Sequence, residues 1–260
     1  ARAALDGADL ALHDVVAAGC SAPGPLDHVR GIVHEAPNIP GLVDYPLADR
    51  LAAGMDGLPV FVDRDTAMAA IGEAVAGAAR GVDDFVYVTV STGLGGAIVS
   101  GGRMIRGAAG TAGEIGHWPV ALESPRCGCG SFGCAESFAG GRNLAQQFGT
   151  ADAEDVYRAA ARGDGRARAL VEHAEAALGS LAVGLVNALN PSRIVVGGSV
   201  AEHQSAHVLE PMRRAIATRA FRVPAGAVSV MPAALGADVG MLGAVLEARE
   251  RAAGRGHWFL

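Results

Sequence analysis

Residues 85–99 read FVYVTVSTGLGGAIV. The first six residues are all β-branched or aromatic, which favours a strand. A glycine-rich stretch at 91–96 follows, and a second apolar run resumes at 97, so we predict a strand, a loop and another strand. The backbone amides and hydroxyl of such a loop can bind a phosphate. A strand follows rather than a helix, so this is not the dinucleotide fingerprint, and a plain structural hairpin explains the pattern equally well.

Apolar runs that favour strands alternate with helical patterns on both sides of this segment, which predicts an α/β protein. Further strands are expected at 59–62, 194–196 and 228–231, and helices at 66–79, 167–189, 205–218 and 239–251. We expect a two-lobed chain. Residues 1–70 and a C-terminal helix at about 240–260 form the small lobe, and residues 71–239 form the large lobe.

The composition excludes several classes of protein. Of 260 residues, 50% are hydrophobic and 18% charged, which is too apolar for a disordered chain. The net charge of −6 and the lack of a basic stripe argue against a nucleic-acid partner. All 21 basic residues are arginine, which excludes lysine-based chemistry. We find no run of 18 apolar residues and no signal-peptide pattern, and therefore expect a cytoplasmic protein without a membrane span.

Four side chains between 107 and 136 have the spacing of a metal site. His117, Cys127, Cys129 and Cys134 supply one imidazole and three thiolates, a complete tetrahedral set for structural zinc. The alternative is a group of free thiols beside an unrelated histidine. We expect Cys20 to be a small buried apolar residue.

Several carboxylates lie where they can act on a substrate. Asp65 follows the strand at 59–62 and begins a helix, as either a general base or a helix N-cap. Glu114 stands three residues before the ligand histidine and Glu136 two residues after the last cysteine, so a bound metal would hold both near one place. Glu73 and Glu123 are not held near that place by a neighbouring predicted ligand, and we expect them to be solvated.

Taken together, these motifs resemble the ROK family of sugar kinases and sugar-responsive repressors. The runs GEIGH at 113–117, CGCG at 127–130 and GCAE at 133–136 resemble the family's zinc signature. The run DRDTA at 63–67 resembles its catalytic segment, and APNIPG at 36–41 a loop near its sugar. Two glycines, 197 and 198, follow the strand at 194–196. They resemble the family's adenosine-side turn, although alone they could be a strand-to-helix connection.

The resemblance implies an actin-like ATPase fold, ribonuclease-H-like and two-lobed, that binds a hexose and ATP with Mg²⁺. It implies a homodimer as well. Asp65 would be the general base. The expected sugar-binding residues are Arg64, Glu114, His117, Glu136 and Asn38. The expected ATP-binding residues are Thr92, Gly93, Gly95 and Gly96 at the phosphates and Gly198 at the nucleoside.

The chain departs from the family pattern in two ways. An opening Asp and Gly-Gly-Thr loop is missing, so we expect the small lobe to lack its first strands, with open strand edges. Arg64 replaces the usual Asn, and either meets a substituted sugar or pairs with Asp63 or Asp65. The leading hypothesis is a glucokinase-type hexose kinase. The alternatives are a non-catalytic sugar-sensing domain of a repressor and an inactive truncated paralogue.

Overall fold

The structure, a computed structural model, describes residues 2–36, 39, 41–123 and 125–255. It consists of two compact units. Unit 1 takes its residues from Ala1–Gly72, Arg106–Thr111 and Asp238–Leu260, and unit 2 from Glu73–Ile105 and Ala112–Ala237.

The helices and strands follow one another in an α/β order. In chain order they are α1 (Arg2–Ala8), β1 (Ala18–Ala22), β2 (Leu26–Asp27), β3 (Ile32–Glu35), β4 (Val43–Tyr45), α2 (Leu47–Ala53), β5 (Val60–Arg64), α3 (Asp65–Ala76), β6 (Phe85–Val90), β7 (Leu94–Ser100), β8 (Arg103–Met104), α4 (Ala135–Ala139), α5 (Gly141–Phe148), α6 (Ala153–Ala161), α7 (Gly165–Leu189), β9 (Arg193–Gly197), α8 (Ser199–His203), α9 (Ser205–Arg219), α10 (Arg222–Ala227), β10 (Ser229–Pro232) and α11 (Val239–Ala252). Short 3₁₀ helices lie at Leu12–Asp14, Ile115–His117 and Gly236–Asp238.

Unit 1 contains a parallel pair of strands and an antiparallel meander. β1 pairs with β5, and β2, β3 and β4 form the meander. Among the described residues β1 pairs with no strand except β5. Helix α11 packs closely on β1 and α3. An added Cβ on Gly19 of β1 would lie 2.0 Å from the Ala244 carbonyl oxygen, and an added Cβ on Gly243 of α11 would lie 1.8 Å from the Met68 carbonyl oxygen.

Unit 2 is built on a five-stranded sheet in the order β10-β9-β6-β7-β8. β10, β9 and β6 run parallel, and β7 and β8 continue the sheet antiparallel. The central strand β6 is almost wholly buried, as its β-branched and aromatic composition requires. Helices α4 to α9 contribute to the hydrophobic core of the unit, and α7 alone buries ten residues.

The structure corrects two predicted boundaries. Strand β7 begins at Leu94 rather than 97, so Gly95 and Gly96 lie in the strand, opposite Thr89 and Val88. Helix α3 ends at Ala76 rather than 79 because its last turn closes on Glu73, whose carbonyl oxygen accepts from two later amides.

One described helix, α7, is long and apolar enough to cross a membrane by length and composition. Half of its most apolar window is buried within unit 2, where it packs in the core. A core helix meets the same criterion.

Candidate functional site

The four predicted metal ligands meet in unit 2. Their donor atoms all lie within 4.8 Å of one another. The Sγ atoms of Cys129 and Cys134 are 3.8 Å apart, and Cys127 Sγ is 3.5 Å from His117 Nδ1. A tetrahedral ion with bonds of about 2.3 Å to sulfur and about 2.0 Å to nitrogen would separate two sulfurs by about 3.8 Å and sulfur from nitrogen by about 3.5 Å. The cluster therefore has the geometry to hold one metal ion.

The thiols of this cluster differ in environment. Burial raises the pKa of the Cys127 thiol and raises that of Cys134 to about 12. The amide of Ser131 lowers the pKa of the exposed Cys129 thiol. Since a metal binds thiolates, metal binding to this cluster must release protons from the buried thiols.

Glu136 connects the cluster to the β6–β7 turn. It lies in the first turn of α4, two residues after the predicted ligand Cys134, which occupies the N-cap position. Its Oε1 is 3.9 Å from Cys127 Sγ, and its Oε2 accepts a hydrogen bond of 3.0 Å from the amide of Leu94. A carboxylate has about four acceptor sites, so Glu136 retains capacity for a hydroxyl.

Glu114 and His117 stand at the two ends of the 3₁₀ helix Ile115–His117, where His117 N donates to the Glu114 carbonyl oxygen. Glu114 is exposed. The helix rests against β7, since an added Cβ on Gly116 would lie 1.8 Å from the Leu94 carbonyl oxygen. The local fold therefore holds Glu114, His117 and Glu136 on one metal-binding segment.

The predicted phosphate loop is a tight turn of three residues. Ser91 N donates to the Gly93 carbonyl oxygen, and β7 begins at the next residue. The turn is anchored to the start of α5, because Gly141 N donates to Ser91 O and Arg142 N to Thr92 O. Thr92 is exposed at the tip.

The predicted nucleoside turn at Gly197 and Gly198 needs two glycines. Gly198 has φ +96°, and an added Cβ there would lie 2.6 Å from both Thr89 Oγ1 and the Val90 carbonyl oxygen. An added Cβ on Gly197 would lie 2.7 Å from the Tyr87 hydroxyl. Larger side chains are therefore excluded from this turn.

Ser91 and Thr92 of the first turn, and Ser199 and Val200 directly after the second, line one cavity of unit 2. Ser91 Oγ and Ser199 Oγ are 3.0 Å apart and form a hydrogen bond between the first turn and the first residue of α8. The cavity has a volume of about 340 Å³. Its lining residues are mostly polar or small: Ser91, Thr92, Gly141, Arg142, Ala145, Gln146, Thr150, Ala151, Asp152, Ala153, Ser199 and Val200.

In unit 1, Asp65 is exposed at the first position of α3, and its Oδ1 accepts from the amide of Thr66. Asp65 is thus the first residue of the helix, and its carboxylate lies at the surface of the unit. Arg64 is 3% exposed, and Asp63 pairs with Arg106. Asn38 lies outside the described residues.

Two expectations from the sequence are wrong. Glu73, expected to be solvated, is fully buried. Its Oε1 accepts from Ala234 N and Leu235 N, and its Oε2 accepts from Ala78 N. A single glutamate in an otherwise apolar helix could have indicated burial, but not the distant amides of Ala234 and Leu235 that it meets. Cys20 is partly exposed in β1 rather than buried.

Comparison with known proteins gives a consistent result. The model of the ROK family matches residues 2–251. A glucokinase of Halalkalibacterium halodurans is 34% identical over 259 residues, covering 92% of this chain and 78% of that protein. A ROK hexokinase structure from Thermus thermophilus has TM-score 0.81 and 37% identity, covering 98% of this chain and 84% of that one.

A ROK family glucokinase from Streptomyces griseus, solved in complex with glucose and AMPPNP, has TM-score 0.79 and 34% identity. That match covers 95% of this chain and 86% of the other. The family model spans nearly the whole sequence, and the solved relatives share the fold over the same length. This chain belongs to the ROK family and has the actin-like ATPase fold of its relatives.

Proposed function

We propose that this protein phosphorylates a hexose with ATP. The observation behind the proposal is the cavity of unit 2. Ser91 and Thr92 of the first turn line it together with Ser199, the residue after Gly198, and Ser91 and Ser199 are joined by a hydrogen bond. The sequence predicted one turn for phosphates and the other for a nucleoside. A nucleoside triphosphate requires both in one place, and a purely structural hairpin requires neither.

The nucleotide would occupy this cavity. Thr92, which lines the cavity, would contact the phosphates, with Gly93 and the β7 residues Gly95 and Gly96 as further candidates. Gly198 would give the nucleoside close access to the backbone. Phosphoryl transfer depends mainly on positioning and on neutralising charge. Mg²⁺ bound with ATP supplies charge neutralisation at the phosphates.

The sugar would be activated by Asp65. Its carboxylate takes the proton from a sugar hydroxyl as the oxygen bonds to the γ-phosphorus and the bond to ADP breaks. Glu114, His117 and Glu136 would accept or donate hydrogen bonds to other hydroxyls. Arg64 and Asn38 are further sugar-binding candidates.

The metal of the cluster would be Zn²⁺ in a structural role. Three thiolates and one imidazole are a ligand set that zinc prefers, and they leave no position open for a catalytic water. Its role would be to hold the segment that carries Glu114 and Glu136.

The relatives support a kinase. The Halalkalibacterium relative is a glucokinase, and the Streptomyces one binds glucose and an ATP analogue in its crystal. We further propose that the protein acts in the cytoplasm as a homodimer. Glucose, mannose, fructose and the N-acetylated hexosamines all present hydroxyls to these residues, so each is a candidate substrate.

The test is sugar-dependent release of ADP, with Zn²⁺ and Mg²⁺ present, on a panel of glucose, mannose, fructose and N-acetylated hexosamines. Asp65→Asn removes the base while keeping size, so kcat should fall by about 10²–10⁴-fold, with sugar affinity within a few fold. The matched control is Asp49→Asn, an exposed aspartate of unit 1 in α2. Equal loss in both variants would remove Asp65 from the catalytic role.

A non-catalytic sugar sensor predicts a different pattern. It would bind one of the sugars without turnover, and ATP would bind weakly or not at all. An inactive paralogue would show neither turnover nor a sugar-dependent rise in melting temperature. Measuring sugar binding by calorimetry beside the turnover assay separates the three possibilities.

A further inference from the structure

The peptide groups of Leu94 are held from two sides by the metal-binding segment. On one side its amide donates to Glu136 Oε2 at 3.0 Å. On the other side its carbonyl oxygen packs against Gly116, where an added Cβ would lie only 1.8 Å away. Leu94 is itself 4% exposed, so water has little access to replace either contact.

Both contacts come from residues next to metal ligands. Gly116 directly precedes the ligand His117 in the 3₁₀ helix. Glu136 follows the ligand Cys134 by two residues, and its Oε1 is 3.9 Å from Cys127 Sγ. Residues beside two of the predicted ligands therefore contact the same residue of β7, Leu94.

Leu94 in turn fixes the turn that lines the cavity. It is the first residue of β7, directly after Gly93, whose carbonyl oxygen accepts from Ser91 N. Gly93 also lies against Glu136, since an added Cβ would be 2.5 Å from Oε2. A shift of Glu136 would therefore displace Gly93 and Thr92, on the phosphate side of the cavity.

We propose that occupancy of the His117, Cys127, Cys129 and Cys134 cluster sets the conformation of the 91–94 turn, with Glu136 as the positioning residue. Loss of the ion would release the turn and weaken nucleotide binding even when no sugar is present. The expected effect on nucleotide binding rests on the proposed function, whereas the expected effect on the conformation of the 91–94 turn does not.

The first experiment measures amide hydrogen exchange of the whole chain, loaded with Zn²⁺ or stripped with a chelator. Loss of the Leu94–Glu136 hydrogen bond should accelerate exchange of peptides covering 91–96 by about tenfold. Peptides of α9, elsewhere in unit 2, are the internal reference. Unchanged exchange at 91–96, with faster exchange at 117–134, would overturn the proposal.

Two variants test the positioning role without removing the metal. Glu136→Ala lacks an acceptor for Leu94 N and should show fast exchange at 91–96 with full zinc content. Glu136→Gln keeps an acceptor oxygen and should retain most of the protection. The matched control is Glu123→Ala, an exposed glutamate of the same segment. Full protection of 91–96 in Glu136→Ala would contradict the proposal, even if stripping zinc unfolds unit 2.

The second readout is the affinity for AMPPNP with Mg²⁺, measured by calorimetry without sugar. We expect about tenfold weaker binding in zinc-loaded Glu136→Ala, with Glu136→Gln and Glu123→Ala near wild type. Equal affinities in all four proteins would contradict the link to the nucleotide. If wild-type protein binds no AMPPNP, the proposed function fails, and the exchange experiment still decides the coupling of metal and turn.

Discussion

Arg106 and Asp63 form an ion pair within unit 1, in which Asp63 is buried and Arg106 is largely covered. Nη1 of Arg106 lies 2.9 Å from Oδ1 of Asp63, and Nη2 lies 2.6 Å from Oδ2. The same Oδ1 accepts from the amide of Arg64. The Asp63 carboxylate therefore ties Arg106–Thr111, a segment inserted between two stretches of unit 2, to the strand end that precedes Asp65.

Breaking this pair should destabilise unit 1. Arg106→Met leaves the Asp63 carboxylate buried without its cation, which costs about 3–5 kcal/mol. The double change Arg106→Met with Asp63→Asn removes both charges of the pair and should cost less than the single change. Urea unfolding followed by circular dichroism measures all three proteins. Arg103→Met, at an exposed arginine of β8, is the control, and an equal loss there would remove the ion pair from the explanation.

Glu73→Ala should destabilise unit 2. The change removes the acceptor for three backbone amides, those of Ala78, Ala234 and Leu235, at a site without exposure to water. Each unsatisfied group costs about 1–3 kcal/mol. Glu73→Gln keeps one acceptor oxygen and should lose less.

The free energy of unfolding of these variants is compared with that of Glu172→Ala, an exposed glutamate of α7. A loss below about 1 kcal/mol in Glu73→Ala would mean that water reaches the three amides.

Gly198→Ala should weaken nucleotide binding by at least about tenfold. The added Cβ would lie 2.6 Å from Thr89 Oγ1 at a φ of +96°, so the turn must move away from β6. Gly226→Ala adds a methyl group with no atom within 4 Å and is the matched control. Titration of AMPPNP into both variants measures the difference, and equal affinities would remove Gly198 from the nucleoside site.

Stability should fall with pH above about 10 because of Tyr157. Burial, and secondly the charge of Glu175, raise the pKa of Tyr157 to about 12. The unfolded phenol ionises near pH 10. Between about pH 10 and 12 the unfolded chain binds fewer protons than the folded one, so this stabilisation is complete below pH 10 and declines as pH rises through 12.

The chain contains no lysine and only three tyrosines, and its cysteine thiols, which also titrate in this range, are the same in wild type and variant, so the difference between the two proteins reports Tyr157. As the pH rises from about 10 to about 12, the free energy of unfolding should therefore fall less in Tyr157→Phe than in wild type, by up to about 2 kcal/mol. Melting temperatures between pH 8.5 and 11.5 measure the slope. Tyr45→Phe controls for the loss of a phenol, and parallel slopes in wild type and Tyr157→Phe would contradict the assignment.

The sequence by itself determined the α/β order and the family, and it picked out the four side chains whose donor atoms the structure brings within 4.8 Å of one another. Ligand chemistry requires cysteine and histidine at fixed spacing, and strand propensity and helical period are local properties that one sequence displays. The long helix ending near Leu189, β9 and the helix beginning at Ser205 all lie within two residues of their predicted bounds.

Only the tertiary structure decided which distant residues meet. Glu73 reads as an ordinary surface glutamate until β10 places the loop at 233–235 beside it. Gly95 and Gly96 read as loop residues until their pairing with β6 makes them strand, with Ile115 filling the space that a side chain on Gly96 would need. The Leu94–Glu136 bond spans 42 residues. Contacts of this kind depend on packing between elements rather than on local propensity, so no local pattern encodes them.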